Sequence, residues 1–92
     1  MRVEVARSGG FIGLTLRGEV DTAALPEPTA TRVAEALRGL PFERPPAPPR
    51  HPDSFRYEVT VVDDGRRTAV LDEAQVPAEL RPVLDAAITA GS

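Results

Sequence analysis

The sequence predicts an α+β fold of order ββ-α-ββ-α, with a four-stranded, mostly antiparallel sheet packed on helix. Three patterns carry this reading. Two stretches alternate apolar with polar residues and fold back through a turn, a helical period follows each, and a proline-rich break separates the halves. The 92 residues suit one domain, 1–92, with a single modest core. A hydrophobic share of 41 % beside 27 % charged residues is ordinary for a globular chain.

The first stretch opens at residues 2–7, where Val3 and Val5 share one face and Arg2, Glu4 and Ala6 the other. The same period runs through 12–20 and aligns Ile12, Leu14, Leu16 and Val20. Between the two runs, Ser8-Gly9-Gly10-Phe11 reads as a hairpin connection, because glycine reaches the positive φ that tight turns and bulges need. Beyond Asp21 the period lengthens. Ala30, Val33, Ala34 and Leu37 mark the apolar stripe of a helix ending near Gly39, with Pro26 and Pro28 at or before its first turn and Arg32, Glu35 and Arg38 facing out.

Residues 41–52 hold six of the ten prolines, which excludes helix and central strand and favours polyproline II. The whole segment 41–54 is read as a stiff connector within the domain. The second half begins with the clearest strand, in which Phe55, Tyr57, Val59 and Val61 alternate with Arg56, Glu58 and Thr60. Asp63-Asp64-Gly65 is a hairpin signal, and residues 66–71 return as the partner strand. Leu80, Leu84 and Ile88 then recur at helical spacing. Pro82 would break one long helix, so a short turn over 77–80 and a helix from Arg81 to Ala90 are expected, with Gly91 as its stop.

Composition excludes several classes of chemistry. A net charge of -3 argues against a nucleic-acid backbone as the main ligand, and the use of arginine for all eleven basic residues does not change the sign. The absence of cysteine removes disulfides, thiolate metal sites and a cysteine nucleophile. The single histidine, His51, stands in the proline-rich connector between Arg50 and Pro52 and reads as a solvated loop side chain, not as the imidazole of a Ser-His-Asp constellation. Asp63 with Asp64 and Asp72 with Glu73 are better explained by turn chemistry and solvated surface than by a general acid and base. No catalytic residue, metal site or cofactor is therefore expected. The N-terminus enters strand alternation directly, without an apolar leader or a membrane span, so a cytoplasmic protein is the default expectation.

Gly9-Gly10-Phe11-Ile12-Gly13 lacks the following helix and the later acidic residue of a dinucleotide fingerprint, which leaves a bulged hairpin or a binding loop. By alternation Phe11 falls opposite Ile12, Leu14 and Leu16. A stiff turn that displays one large apolar side chain loses little entropy on docking.

The run Arg7-Ser8-Gly9-Gly10-Phe11-x-Gly13 is followed by EVDTAALP, the proline-rich break, FRYEVTVVDDG and VPAELRPVLD. Together these resemble the emfourin family, small bacterial protein inhibitors of protealysin-like metallopeptidases, over most of the chain. Ile12 stands where the family usually has a smaller residue, and Leu16 where it often has arginine. The resemblance implies a fold similar to that of cystatins, which bind through hairpin loops at one end of a sheet wrapped around a helix. It also implies a thermolysin-like zinc peptidase as the protein partner. The protease-binding residues would then be Arg7, Ser8, Gly9, Gly10, Phe11, Ile12 and Gly13, with a second contact at Asp63, Asp64, Gly65 and Arg66. In that reading Phe11 fills an apolar pocket, the glycines permit close backbone approach, Arg7 pairs with a carboxylate at the rim, and the free inhibitor is a monomer. The competing class is a non-inhibitory interaction module whose proline-rich segment docks an aromatic groove.

Overall fold

The computed structural model describes residues 1–9, 13–51 and 53–91. Gly10, Phe11 and Ile12 of the expected binding loop lie outside the described residues. In chain order the elements are β1 (Arg2–Gly9), β2 (Leu16–Asp21), α1 (Thr29–Arg38), β3 (Phe55–Val62), β4 (Arg66–Asp72) and α2 (Arg81–Gly91). Single 3-10 turns sit at Thr22–Ala24 and Glu73–Gln75. The sheet order is β2-β1-β3-β4 with every neighbouring pair antiparallel, so the predicted α+β fold is observed.

Alternation along the strands sorts the two faces of this sheet. Val3, Val5, Tyr57, Val59, Val61, Ala69 and Leu71 are buried on one face, where they join Val33 and Leu37 of α1 and Leu84 and Ile88 of α2 in one hydrophobic core. Each large apolar side chain so buried contributes about 1.5–3 kcal/mol. The opposite face carries Arg2, Glu4, Arg17, Glu19, Arg56 and Glu58 and is not covered by either helix.

The helices begin where proline allows. Pro28 precedes α1, and the Gly39 N–H closes its end on the carbonyls of Ala36 and Leu37. Ala36, more than Ala34, packs against the core beside Val33 and Leu37. The turn expected at 77–80 is present: the Pro77 carbonyl accepts from the N–H of Leu80 at 3.0 Å and of Arg81 at 3.2 Å, and α2 starts there.

Three local expectations differ from the structure. Leu14 does not share the buried face of a strand, because pairing with β1 begins only at Leu16, and its side chain is 58 % exposed. Gly91 does not stop α2 but continues it; a Cβ there would lie 2.5 Å from the Arg17 carbonyl oxygen, so the residue serves close approach of helix to strand. Gly18 faces the Ala87 carbonyl in the same way. Asp72 is not solvated surface: it is 4 % exposed, its Oδ2 accepts from the Ala74 N–H at 3.0 Å, and its own N–H donates to Gln75 Oε1 at 2.9 Å. It caps the 3-10 turn that carries the chain off the sheet.

The described residues of the proline-rich connector form neither helix nor strand, and they are tied down. The Glu43 N–H donates to the Thr68 carbonyl of β4 at 3.2 Å, and the Ala47 N–H donates to Gln75 Oε1 at 3.0 Å. Phe42 lies under the Arg67 guanidinium, 4.5 Å from its ring centre. The segment thus runs against β4, an edge strand whose free backbone groups would otherwise be open to pairing. No helix among the described residues is long and apolar enough to cross a membrane.

Candidate functional site

The expected binding loop leaves the sheet at the end of β1, and its two legs are held differently. Ser8 pairs with Arg56 and Gly9 with Phe55, whereas β2 starts only opposite Arg7. The outgoing leg therefore continues along β3 for two residues after the returning leg has left the sheet. Gly9 has φ +98°, and an added Cβ would stand 2.7 Å from the Ser54 carbonyl oxygen, so the β1–β3 pairing itself requires glycine here. Gly13 has φ +70° with nothing within 4 Å of an added Cβ. Leu14, next in the chain, is the one large apolar side chain exposed among the described residues.

Beneath the root of this loop lies a network drawn from four elements. Arg7 points to the helix side of the sheet, as its alternation with Val3 and Val5 dictates, and its Nη1 donates to Asp85 Oδ1 of α2 at 3.3 Å. Its guanidinium also lies 4.6 Å from the ring centre of Phe55. The Tyr57 hydroxyl donates to the same Asp85 oxygen at 2.7 Å. Arg81 reaches Asp85 Oδ2 through Nε at 3.2 Å and Glu73 Oε2 through Nη2 at 3.3 Å, and it covers the Tyr57 ring at 5.4 Å. Glu73 Oε1 closes the circuit by accepting the Phe55 N–H at 2.9 Å.

Such pairs contribute little when isolated and exposed, but here Arg7 is 22 % and Asp85 36 % exposed, and every charge shares a partner. Burial, followed by the hydrogen bond to Asp85, holds the Tyr57 phenol above its ordinary value. Burial works against the Arg81 charge, and the neighbouring Tyr57, Asp85 and Glu73 outweigh it, so that guanidinium also titrates higher than usual. Among the described residues no buried side-chain polar atom lacks a partner.

The end loop does not share its surface with the second predicted contact. Val62 pairs with both Arg2 and Arg66, which places Asp63–Arg66 at the opposite end of the sheet. β1 is eight residues long, so the two tips are separated by about 25 Å of strand. That turn is tight, with Asp64 at φ 54°, Gly65 at φ 132° and the Asp63 N–H donating to the Gly65 carbonyl at 3.0 Å. Arg66 Nη2 reaches Glu4 Oε1 at 2.7 Å, which holds that carboxyl below its ordinary range. What does stand beside Ser8 and Gly9 is the connector: Pro49 and Ser54 line a shallow depression with them, together with Arg56 and Asp72.

No group of three or more metal-ligating side chains occurs among the described residues, and His51 is exposed in the connector, where its N–H donates to Ser54 Oγ at 3.1 Å. The polar face of the sheet holds an open trough of about 500 Å³ lined by Glu4, Arg17, Glu19, Glu58, Thr60 and Arg66.

No curated protein and no solved structure matches the chain. A family model does, over residues 5–87, a span that includes the glycine-rich loop, the connector, the second hairpin, most of the first and the network under Gly9. The chain belongs to the Emfourin family, a family of metallopeptidase inhibitors.

Proposed function

We propose that this protein inhibits a bacterial thermolysin-like, protealysin-like zinc peptidase by placing its 8–13 loop in the active-site cleft. The observation that supports this reading best is the contrast within the loop: its root is fixed by the Arg7 network, and Leu14 beyond it stands 58 % exposed. An apolar side chain on a restrained loop can enter a pocket without a large loss of conformational freedom. Phe11 and Leu14 together supply the apolar surface such a pocket takes.

Arg7 was expected at the rim of the partner, but its guanidinium is engaged by Asp85 and Phe55 within the chain. Its part in the mechanism is therefore internal support. Pro49 and Ser54 of the connector lie beside Gly9 and serve as the second contact, while Asp63–Arg66 at the far end of the sheet remains outside the cleft. The loop sequence has no cysteine or histidine, so the inhibitor occludes the cleft and leaves the zinc with the target.

Titration into a mature protealysin-like protease, following peptide hydrolysis, tests the proposal. Loss of activity at a near-equal molar ratio, with the inhibitor intact, is expected. Full activity at large excess overturns it. Within an inhibitor that works, Phe11→Ala combined with Gly10→Val is expected to abolish inhibition; unchanged inhibition removes the loop from the mechanism.

A further inference from the structure

One carboxylate far along the chain reaches the root of the loop through Arg7. Asp85 lies 78 residues from Arg7 in sequence and sits on the second turn of α2. Its two oxygens receive three donors: Arg7 Nη1 from β1, the Tyr57 hydroxyl from β3 and Arg81 Nε from its own helix. Arg7 is two residues before Gly9, and Tyr57 is two residues after Phe55, the residue paired with Gly9. The carboxylate therefore ties together the two strands from which the outgoing leg departs, on the helix side of the sheet. At the opposite tip no carboxylate among the described residues joins the strands to a helix: Arg66 reaches Glu4 on the polar face, and Arg67 behind it covers Phe42 of the connector.

We infer that Asp85 is a positioning residue for the inhibitory loop, fixing the direction in which β1 leaves the sheet at Ser8 and Gly9. This rests on the function proposed above for that loop. A loop whose root is held in one direction loses less entropy on docking and is slower to reach the geometry a peptidase cleaves. Release of the Asp85 tie frees Arg7 and Tyr57, and the end of β1 at Ser8 and Gly9 is then no longer held to α2. The consequence is a change of kind: the protein is processed as a substrate instead of persisting as an inhibitor.

The test compares the wild-type chain with Asp85→Asn and with Arg7→Met, which keeps an apolar stem over Phe55 and leaves α2 untouched. Amide hydrogen exchange of the free proteins is read at residues 8–9 and 13–16 and, as an internal control, at residues 62–66. Both variants are expected to exchange at least about tenfold faster around the loop and unchanged at the control turn, since the opening is local. On the protease, Asp85→Asn is expected to dissociate at least about tenfold faster and to be cut between residues 9 and 16, products that mass spectrometry identifies.

Loop exchange equal to the wild type in both variants overturns the inference, as does acceleration of equal size at the loop and at 62–66, which marks a general loss of stability. Exchange needs no protease. If the wild type fails to inhibit while the loop alone loosens in the variants, the functional proposal falls and the positioning role of Asp85 stands.

Discussion

The two ends of the sheet use similar turn residues and support them in opposite ways. At one end Gly9 is wedged against the Ser54 carbonyl, and the strands behind it are joined to α2 and to the Glu73 turn by hydrogen bonds, ion pairs and ring contacts. At the other, Gly65 has φ 132° with nothing within 4 Å of an added Cβ, the turn closes on its own backbone hydrogen bond, and Arg66 and Arg67 beside it reach Glu4 and Phe42 without a tie to either helix. The tight turn needs no scaffold because its geometry is local. The root of the longer loop is set by the fold behind it, at Arg7 and Gly9.

This contrast predicts unequal effects of the same chemical change. Gly9→Ala introduces both a strained backbone and a collision with main-chain atoms that cannot swing away, for an expected loss of about 3 kcal/mol in urea unfolding. Gly65→Ala carries the backbone strain alone, and about 1–2 kcal/mol is expected. Equal losses at the two positions would remove the claim that β1–β3 packing demands Gly9. Tyr57→Phe comes next: it deletes the hydroxyl that Asp85 accepts and leaves the ring in the core, for about 1 kcal/mol. The loss should appear as faster exchange at 7–9 and 55–57 before it appears elsewhere.

Titration separates the same two ends by pH. The Tyr57 phenol titrates above its ordinary value of 10.0 in the folded protein, so its contribution to stability is present below pH 10 and is lost as pH rises toward the folded value. Glu4 and Asp21 titrate below their ordinary 4.5 and 3.8, the first chiefly through its hydrogen bond from Arg66 and the second through the Ala23 N–H. Their contributions are present above those values and are lost as pH falls through the lowered ones. Residue-resolved exchange should therefore show the Gly9 end loosening first in alkali and the Asp21 end first in acid. Both carboxyls are exposed, so the acid effect is the smaller.

How much of this was legible in the sequence depended on how local each determinant is. Strand alternation at Val3 and Val5 and along Phe55–Val61, the punctuation by Pro77 and Pro82, and the turn at Asp63–Gly65 are short-range patterns, and each element appeared where they placed it. Leu14 was misplaced because a period of two does not say where a strand runs out of partner; that is decided by the register Arg7↔Leu16. Gly18 and Gly91 gave no sign of their purpose, since a helix lying on a strand is a tertiary fact. The site divides in the same way. The loop residues rest on what a family resemblance implies, whereas the Asp85 network joins positions up to 78 apart and becomes visible only once the sheet order brings β1 and β3 beneath α2.

The smallest change asks whether the glycines serve the turn or the partner. Gly9 is required by the fold, so its loss cannot answer the question, but Gly13 occupies open space at φ +70°, a conformation asparagine tolerates better than other side chains. Gly13→Asn is expected to leave the free protein nearly as stable as before, within about 1 kcal/mol in a urea melt. If it also leaves inhibition unchanged, the glycine is there for backbone conformation and the cleft tolerates a side chain at that point. If inhibition falls while stability holds, the partner's main chain approaches Gly13 closely. The two ends of the sheet then differ in one further respect: a glycine at the far turn satisfies only its own backbone, and one at the loop is reserved for a second molecule.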